Sequence, residues 1–269
     1  MNKKLIIVDA DGFAYHSLRE TLEESLQAME EKIQNMFQKT QAAHYTMCIS
    51  KGNYFRNEVY PVYKEFRKKY RIQSWVKTLK AVLEEKYNAI WMKGVEADDL
   101  CAYLYLTTKD KENTILCSPD KDLLTNIPSL NIEGHFNYSY TLVDKENPDS
   151  LVRGWWISTS AEEANYNFWV SMIAGDTSDG ISGIPKKGPK FAEKLLSEED
   201  YHKYPSLVLD AYITHYGLSQ GIFEFQKTYR ALWLLVTEDD YIREVGITPA
   251  THFENTYETI SHPTPQSLW

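Results

Sequence analysis

Four short apolar runs set the kind of fold open to this chain. Leu5-Ile6-Ile7-Val8 is a run of the sort that forms a buried strand, and Tyr45 to Ile49, Ala89-Ile90-Trp91-Met92 and Thr114-Ile115-Leu116-Cys117 also read as strands. Between them the spacing turns helical, over about Leu18 to Lys39 and again from Leu100 through Tyr103 and Leu104. Strands alternating with helices predict an α/β fold, with a central, mostly parallel sheet flanked by helices.

In such a sheet the joints at the carboxyl ends of the strands lie along one edge, where sites form. The acids of this chain fall at those joints. Asp9 ends the first run and Asp11 follows, on the same side if the strand continues or else as a cap for the next helix. Glu96, Asp98 and Asp99 open the helix after the third run, Asp120 and Asp122 follow the fourth, and Asp176 and Asp179 stand in AGDTSDGISGIP. Any one of them could serve only a helix dipole or a cap. Unit charges ~4 Å apart repel by about 1 kcal/mol in bulk water and about 4 at an effective dielectric of 20. Gathering several acids on one edge therefore calls for cations or raised pKa values. A divalent metal answers that demand, and oxygen ligands have the hardness that Mg²⁺ or Mn²⁺ requires.

The net charge of −9 argues by itself against a nucleic-acid binder. Acids concentrated in one pocket would leave the rest of the surface nearer neutral, and the cations are bunched: Lys64, Arg67, Lys68, Lys69 and Arg71, then Lys186, Lys187, Lys190 and Lys194. Charge runs are usually solvated faces. Over 53–88, Tyr54, Phe55, Tyr60, Tyr63, Phe66, Tyr70 and Trp75 interleave with such cations. That mixture suits a single strand, through stacking and phosphate contact. It equally suits a helical pair with its rings inward and its charges in water.

Further along, Leu130 to Val143 alternates as strands do, Ala161 to Ala174 reads as an amphipathic helix, and Tyr201 to Val236 reads as two helices. Between them Gly183 and Gly188 bracket a turn and Pro189 suits a first helical position, so free amides of the next helix could hold a phosphate, and the same stretch equally suits an ordinary interhelical loop. Cys48, Cys101 and Cys117 lie in apolar contexts without metal-ligand spacing, as buried reduced thiols do. The first apolar run is broken by Asp9 and no membrane-spanning stretch follows, so a cytoplasmic protein is expected, in the host cytoplasm if phage-encoded. The tail from Thr248 looks irregular, and no internal repeat is present. The expected division is an α/β core over 1–165 with an insertion at about 53–88, and a helical region over 166–269 with its hairpin at about 175–196.

The VDADG opening, GVEADD, SPDKD and GDTSDGISGIP resemble, in order and spacing, the phage and bacterial 5′ nucleases of the flap endonuclease family, over about residues 5 to 196. The resemblance implies a PIN-like 5′ nuclease core carrying a helical arch. It puts Asp9, Glu96, Asp98, Asp99, Asp120, Asp122, Asp176 and Asp179 on the family's metal-binding carboxylates, which hold two or more Mg²⁺. It puts Lys64 and Arg67 on the arch cations that face the scissile phosphate, and Tyr15 on an aromatic position near the active site. The stretch from Gly183 to Leu196, with Lys187, Gly188 and Lys190, looks like the family's helix-hairpin, which grips duplex DNA and in many members uses K⁺.

The implied activity is Mg²⁺-dependent 5′→3′ exonuclease and flap endonuclease action in DNA replication and repair, on DNA with 5′ ends, flaps or nicks and on RNA·DNA hybrids. A monomer working beside replication proteins, away from membranes, is expected. Two other readings stand beside it: a PIN-like ribonuclease, which would not need the glycine hairpin, and a non-catalytic DNA-binding relative that has lost its metal. Three features depart from the pattern. Ser50 stands where many relatives carry an acid, His16 where an Arg is common, and Pro185-Lys186-Lys187 is inserted before Gly188.

Overall fold

The computed structural model describes residues 4–65, 75–120, 122–123, 127, 132–138, 154–251 and 258–259. The first apolar run forms β1 (Leu5–Asp9), which leads through α1 (Asp11–His16) and α2 (Leu22–Thr40) to β2 (His44–Cys48). The helix expected over about Leu18 to Lys39 is α2, which starts at Leu22 because Thr21 caps it, and the residues that lead into it form the separate α1. The Thr21 hydroxyl accepts from Glu24 N and the Glu24 carboxylate accepts from Thr21 N, a reciprocal capping box.

After β2 come α3 (Phe55–Val59), α4 (Trp75–Tyr87), α5 (Ala97–Thr107), β3 (Thr114–Cys117), β4 (Ile132–Asn137) and β5 (Trp155–Thr159). The sheet order is β5-β4-β3-β1-β2, closed at the far side by β8 (Glu258–Thr259). β1 runs parallel to β2 on one side and to β3 on the other, β3 runs parallel to β4, and β5 and β8 are antiparallel edges. The sheet is thus mixed and mostly parallel, as expected. The run at Ala89–Met92 forms only a parallel bridge, Ile90 to Cys48. β8 occupies the first half of that same β2 edge through His44 and Tyr45, which leaves room for little more.

Successive residues of β1 face opposite layers, as strand geometry requires. Ile6 and Val8 pack under α1, α2 and α4 with Phe13, Met29, Ile33, Leu79 and Leu83. Ile7 packs under α5 with Val95, Leu100 and Leu116, joined by Leu235 and Tyr241 from late in the chain. The late helices are α6 (Ala161–Ala174), α7 (Pro189–Leu196), α8 (Tyr204–Tyr216), α9 (Leu218–Leu232) and α10 (Glu238–Val245). A small hairpin of β6 (Gly175–Asp176) and β7 (Ile181–Ser182) lies between α6 and α7. Phe168, Met172, Ala192, Val208 and Tyr212 form a separate apolar core among these helices.

The interleaved rings of 53–88 resolve toward packing where they are described. Phe55, Tyr60 and Tyr63 are buried, and α4 sinks Leu79, Leu83 and Tyr87 into the core. Phe66, Arg67, Lys68, Lys69, Tyr70 and Arg71 lie outside the described residues.

Candidate metal centre

β1 sits where the chain order reverses, with β2 on one side and β3 on the other. Open α/β sheets bind ligands at the carboxyl ends beside such a switch point. The β1 and β3 joints approach closely here because position 12 is glycine. A Cβ at Gly12 would lie 2.5 Å from Pro119 Cγ and 2.6 Å from the Tyr138 hydroxyl.

Asp9 ends β1 inside this crevice, 7% exposed. The Ser118 hydroxyl donates to its Oδ2 at 2.9 Å, Asp11 N donates to its Oδ1 at 3.2 Å, and the Tyr138 hydroxyl donates to its carbonyl. Burial, then the charges of Asp11 and Asp120, push the Asp9 carboxyl up to about 7. Asp120 is fixed from both sides: its N–H donates to Ser118 Oγ at 2.9 Å and its Oδ1 accepts from Asp122 N at 2.8 Å. Asp11 begins α1 instead of extending β1. Its Oδ1 accepts from Ser50 N at 3.0 Å and from Lys80 Nζ at 2.7 Å, so it ties the β1 and β2 joints to α4.

A second acid group opens α5, where Glu96, Asp98 and Asp99 each offer an oxygen within 4.8 Å of the others. Asp99 is fully buried and spent on partners. Arg56 donates to both its oxygens, at 2.6 and 2.7 Å, and the amides of Leu235 and Glu96 add bonds at 2.9 and 3.2 Å. Arg56 is itself buried and also donates to the carbonyls of Ala231 and Trp233, at 3.0 and 2.7 Å. One guanidinium thus joins α3, the α5 acids and the end of α9, a use for which its fixed fork suits it.

Glu96 takes Lys64 Nζ on Oε1 at 2.6 Å, and on Oε2 the Tyr63 hydroxyl at 2.8 Å and Arg56 at 3.1 Å. Burial alone would raise its pKa, but the Lys64 and Arg56 cations outweigh it and hold Glu96 below its usual range. Asp98 has the opposite outcome: burial, Glu96 and Asp99 drive it well above. Asp179 is drawn in from the hairpin, with Oδ2 accepting from Tyr63 at 3.0 Å and lying 3.4 Å from Lys64 Nζ. The Lys64 N–H donates to the Asp179 carbonyl at 2.7 Å.

Ser50 links the two acid groups, since its N–H donates to Asp11 Oδ1 and its Oγ accepts from Ala97 N in the first turn of α5. Tyr54 has its hydroxyl pushed up by burial and then by Asp11 and Glu96, one acid from each group. Cys101 lies near both as well, its thiol raised by burial, by Cys48 and by the charges of Asp9 and Asp98.

The other predicted site residues are spread around this crevice. Asp122 lines a small cleft with Phe168, Ser171, Leu232 and Leu234. The Asp176 carboxylate accepts from both the amide and the hydroxyl of Ser178, at 2.7 and 2.5 Å. Tyr15 is 54% exposed. Lys187 lies over the Phe191 ring at 4.1 Å, while Gly188 and Lys190 are exposed at the start of α7.

Arg56, Tyr63, Lys80 and Ser118 belong to the site without having been expected there from the sequence. Only Ser118 carries a local signal, since it directly follows β3 in an SPDKD joint; the others meet their partners through contacts distant in sequence. Ser50, noted for lacking a carboxylate, has a definite structural role, since its Oγ accepts from Ala97 N at 2.8 Å and so satisfies an amide at the first turn of α5.

The arrangement gathers hard oxygen donors in a partly buried crevice and provides cations for some of them only. Asp9 and Asp98, with raised pKa values, are the acids for which a bound ion would be the natural partner. The donor set fits a divalent metal.

A mixed sheet with strand-end acids and a helical region closing over them defines the fold of 5′ nucleases. Residues 4–149 match the family described as 5′-3′ exonuclease, N-terminal resolvase-like domain, and the chain belongs to that family. A 5′-3′ exonuclease of Mycoplasmopsis pulmonis is 29% identical over 157 residues, 54% of this chain and 48% of the relative, so the match spans about half of that protein. One from Buchnera aphidicola is 28% identical over 223 residues, covering 73% of this chain and 70% of the relative. In fold, the chain is similar to a bacteriophage T5 flap endonuclease solved with DNA and metal ions, with a TM-score of 0.56 at 17% identity over 85% of this chain and 98% of that one. Among the described residues no helix is long and apolar enough to cross a membrane.

Proposed function

We propose that this chain hydrolyses phosphodiester bonds in DNA as a Mg²⁺-dependent 5′→3′ exonuclease and flap endonuclease, acting at 5′ ends, flaps and nicks. The observation that carries the reading is the crevice into which four separate joints deliver Asp9, Asp120, Glu96 with Asp98, and Asp179, with Lys64 set among them. Metal bound there would supply an activated water and take up charge on the phosphate being cleaved.

The chain's own residues have separable roles in this reading. Ser118 aligns Asp9 and Asp120 by donating to one and accepting from the other. Asp98, Glu96 and Asp179 are the ligands of the second group, and Asp122, whose N–H donates to Asp120, and Asp176 are further metal-binding carboxylates. Asp99 is the counterion that fixes Arg56, with both oxygens engaged by it. Lys64, which is held by Glu96 and Asp179, and Arg67 are the cations for the scissile phosphate.

The hairpin after α6 would grip the duplex. At Gly188 a Cβ would meet nothing of this chain within 4 Å, so the missing side chain clears space on the outside, beside Lys187 and Lys190 at the start of α7. A K⁺ ion at this hairpin, RNA·DNA hybrids as further substrates, and work as a cytoplasmic monomer with replication proteins belong to the same proposal.

The test is a labelled 5′ flap, a nicked duplex and an RNA·DNA hybrid incubated with Mg²⁺ and, separately, with EDTA. Products released from the 5′ end in Mg²⁺ and none in EDTA are expected. Cleavage in EDTA, or release only from the 3′ end, would overturn the reading.

A further inference from the structure

Lys80 was given no role in the chemistry above, yet its ammonium is set over the exposed ring of Tyr15. Its ammonium donates to Asp11 Oδ1 at 2.7 Å and to the Ser50 carbonyl at 2.9 Å. An ammonium has three donors, so one remains after these bonds. The Tyr15 ring centroid lies 5.5 Å from Nζ. The ring is 54% exposed, and the Lys80 side chain retains 12% exposure.

This placement adjoins the acidic crevice. Asp11, which holds Lys80, also donates its own N–H to Asp9 Oδ1 at 3.2 Å, so the ammonium stands one residue removed from Asp9. It offsets the charge of Asp11 at the mouth, where a phosphate arriving beside Asp9 and Asp120 would otherwise be repelled. A pair of this kind at a partly open site adds little to stability. A flat ring open to water with a fixed cation over one face is a pairing that can take one nucleotide: the base stacks on the other face of the ring and the phosphate takes the remaining donor.

We propose that Lys80 is a substrate-positioning residue, which binds the backbone phosphate of the nucleotide stacked on Tyr15 and so sets which linkage enters the crevice. The proposal rests on the nuclease reading for its substrate, a DNA strand with a 5′ end. Its test is a binding measurement that needs no cleavage.

The full chain is titrated in EDTA with a fluorescent 5′-flap DNA and with a series in which one linkage at a time near the junction is a neutral methylphosphonate. Neutralising one particular linkage should weaken wild-type binding by roughly tenfold. Lys80→Met should weaken binding of all-phosphate DNA by a similar factor, lose its sensitivity at that linkage alone, and shallow the salt slope by roughly 0.9. Lys80→Arg, which keeps the charge, should retain both the affinity and the sensitivity. Equal weakening by Lys80→Met across the whole series, or sensitivity at that linkage undiminished, would overturn the proposal. Should Lys80→Met fail to fold, Lys80→Gln carries the same comparison. Because binding is read in EDTA, a failure here is separate from an absence of cleavage in Mg²⁺.

Discussion

Asp9→Asn should stabilise the metal-free protein, and only above the pH at which an ordinary aspartate ionises. Burial and the neighbouring Asp11 and Asp120 raise the Asp9 carboxyl from 3.8 to about 7. Between those values the folded chain keeps a proton that the unfolded chain has released. Stability falls with rising pH wherever the folded state binds more protons. The loss begins near the unfolded pKa and is complete above the folded one; about three pH units at about 1.4 kcal/mol each comes to roughly 4 kcal/mol. Asparagine cannot ionise and keeps the shape. Its Oδ1 can still accept from Asp11 N, and its amide can donate to Ser118 Oγ, which rotates its proton away. Urea unfolding in EDTA, followed by tryptophan fluorescence, should show variant and wild type alike near about pH 4, and the variant more stable by up to roughly 4 kcal/mol near about pH 8. Divalent ions should close that gap by stabilising the wild type, with proton release on binding near pH 7 that the variant lacks. A gain independent of pH, or a loss at pH 8, would refute the reasoning, because either would mean that Asp9 ionises freely in the folded chain.

Two further predictions concern the α5 acids. Arg56→Met should cost about 3–5 kcal/mol in the same unfolding assay, because it leaves Asp99 buried without its cation, and adding Asp99→Leu should recover part of that loss; a cost below about 1 kcal/mol would mean that the pair is dispensable. Ser50→Asp should bind Mn²⁺ more tightly by calorimetry, since the new carboxylate would retain the Ala97 amide and face the crevice between Asp11 and Glu96, and an unchanged affinity would show that position 50 does not reach the ions.

The parallel core was legible because its strands are continuous apolar runs and its helices have regular spacing, so β1, β2, β3, α6, α8 and α9 fall where the pattern puts them. The break before α2 was also written in the chain, as Thr21 with Glu24 three residues on. β5 escaped because Trp155-Trp156-Ile157-Ser158-Thr159 is short and partly exposed at an antiparallel edge, and α10 because its first turn is the acidic run Glu238-Asp239-Asp240. The acids themselves were legible as joint residues. Their partners were not: Arg56 meets Ala231 and Trp233 across most of the chain, and no local spacing encodes such a contact.

Gathering acids on one sheet edge demands either cations or raised pKa values, and the chain divides its acids between the two answers. Asp99 and Glu96 receive Arg56 and Lys64, and Asp11 receives Lys80. Among the described residues Asp9 and Asp98 form no ion pair, and theirs are the carboxyls driven upward, Asp98 in spite of the nearby Arg56 and Lys64. Counting acids at joints therefore overstates the number left for metal, since a residue such as Asp99 can stand at the right joint and yet serve only to hold an arginine. The better guide is which carboxylates remain uncompensated once the protein's own cations have been assigned. By that measure Asp9, at the β1 joint, and Asp98, in the first turn of α5, are the acids an ion would compensate, and the charges of both act on the buried thiol of Cys101. Lys64 is held by the very oxygens of Glu96 and Asp179 that an ion would contest, so a metal bound there would have to compete with the protein's own cation.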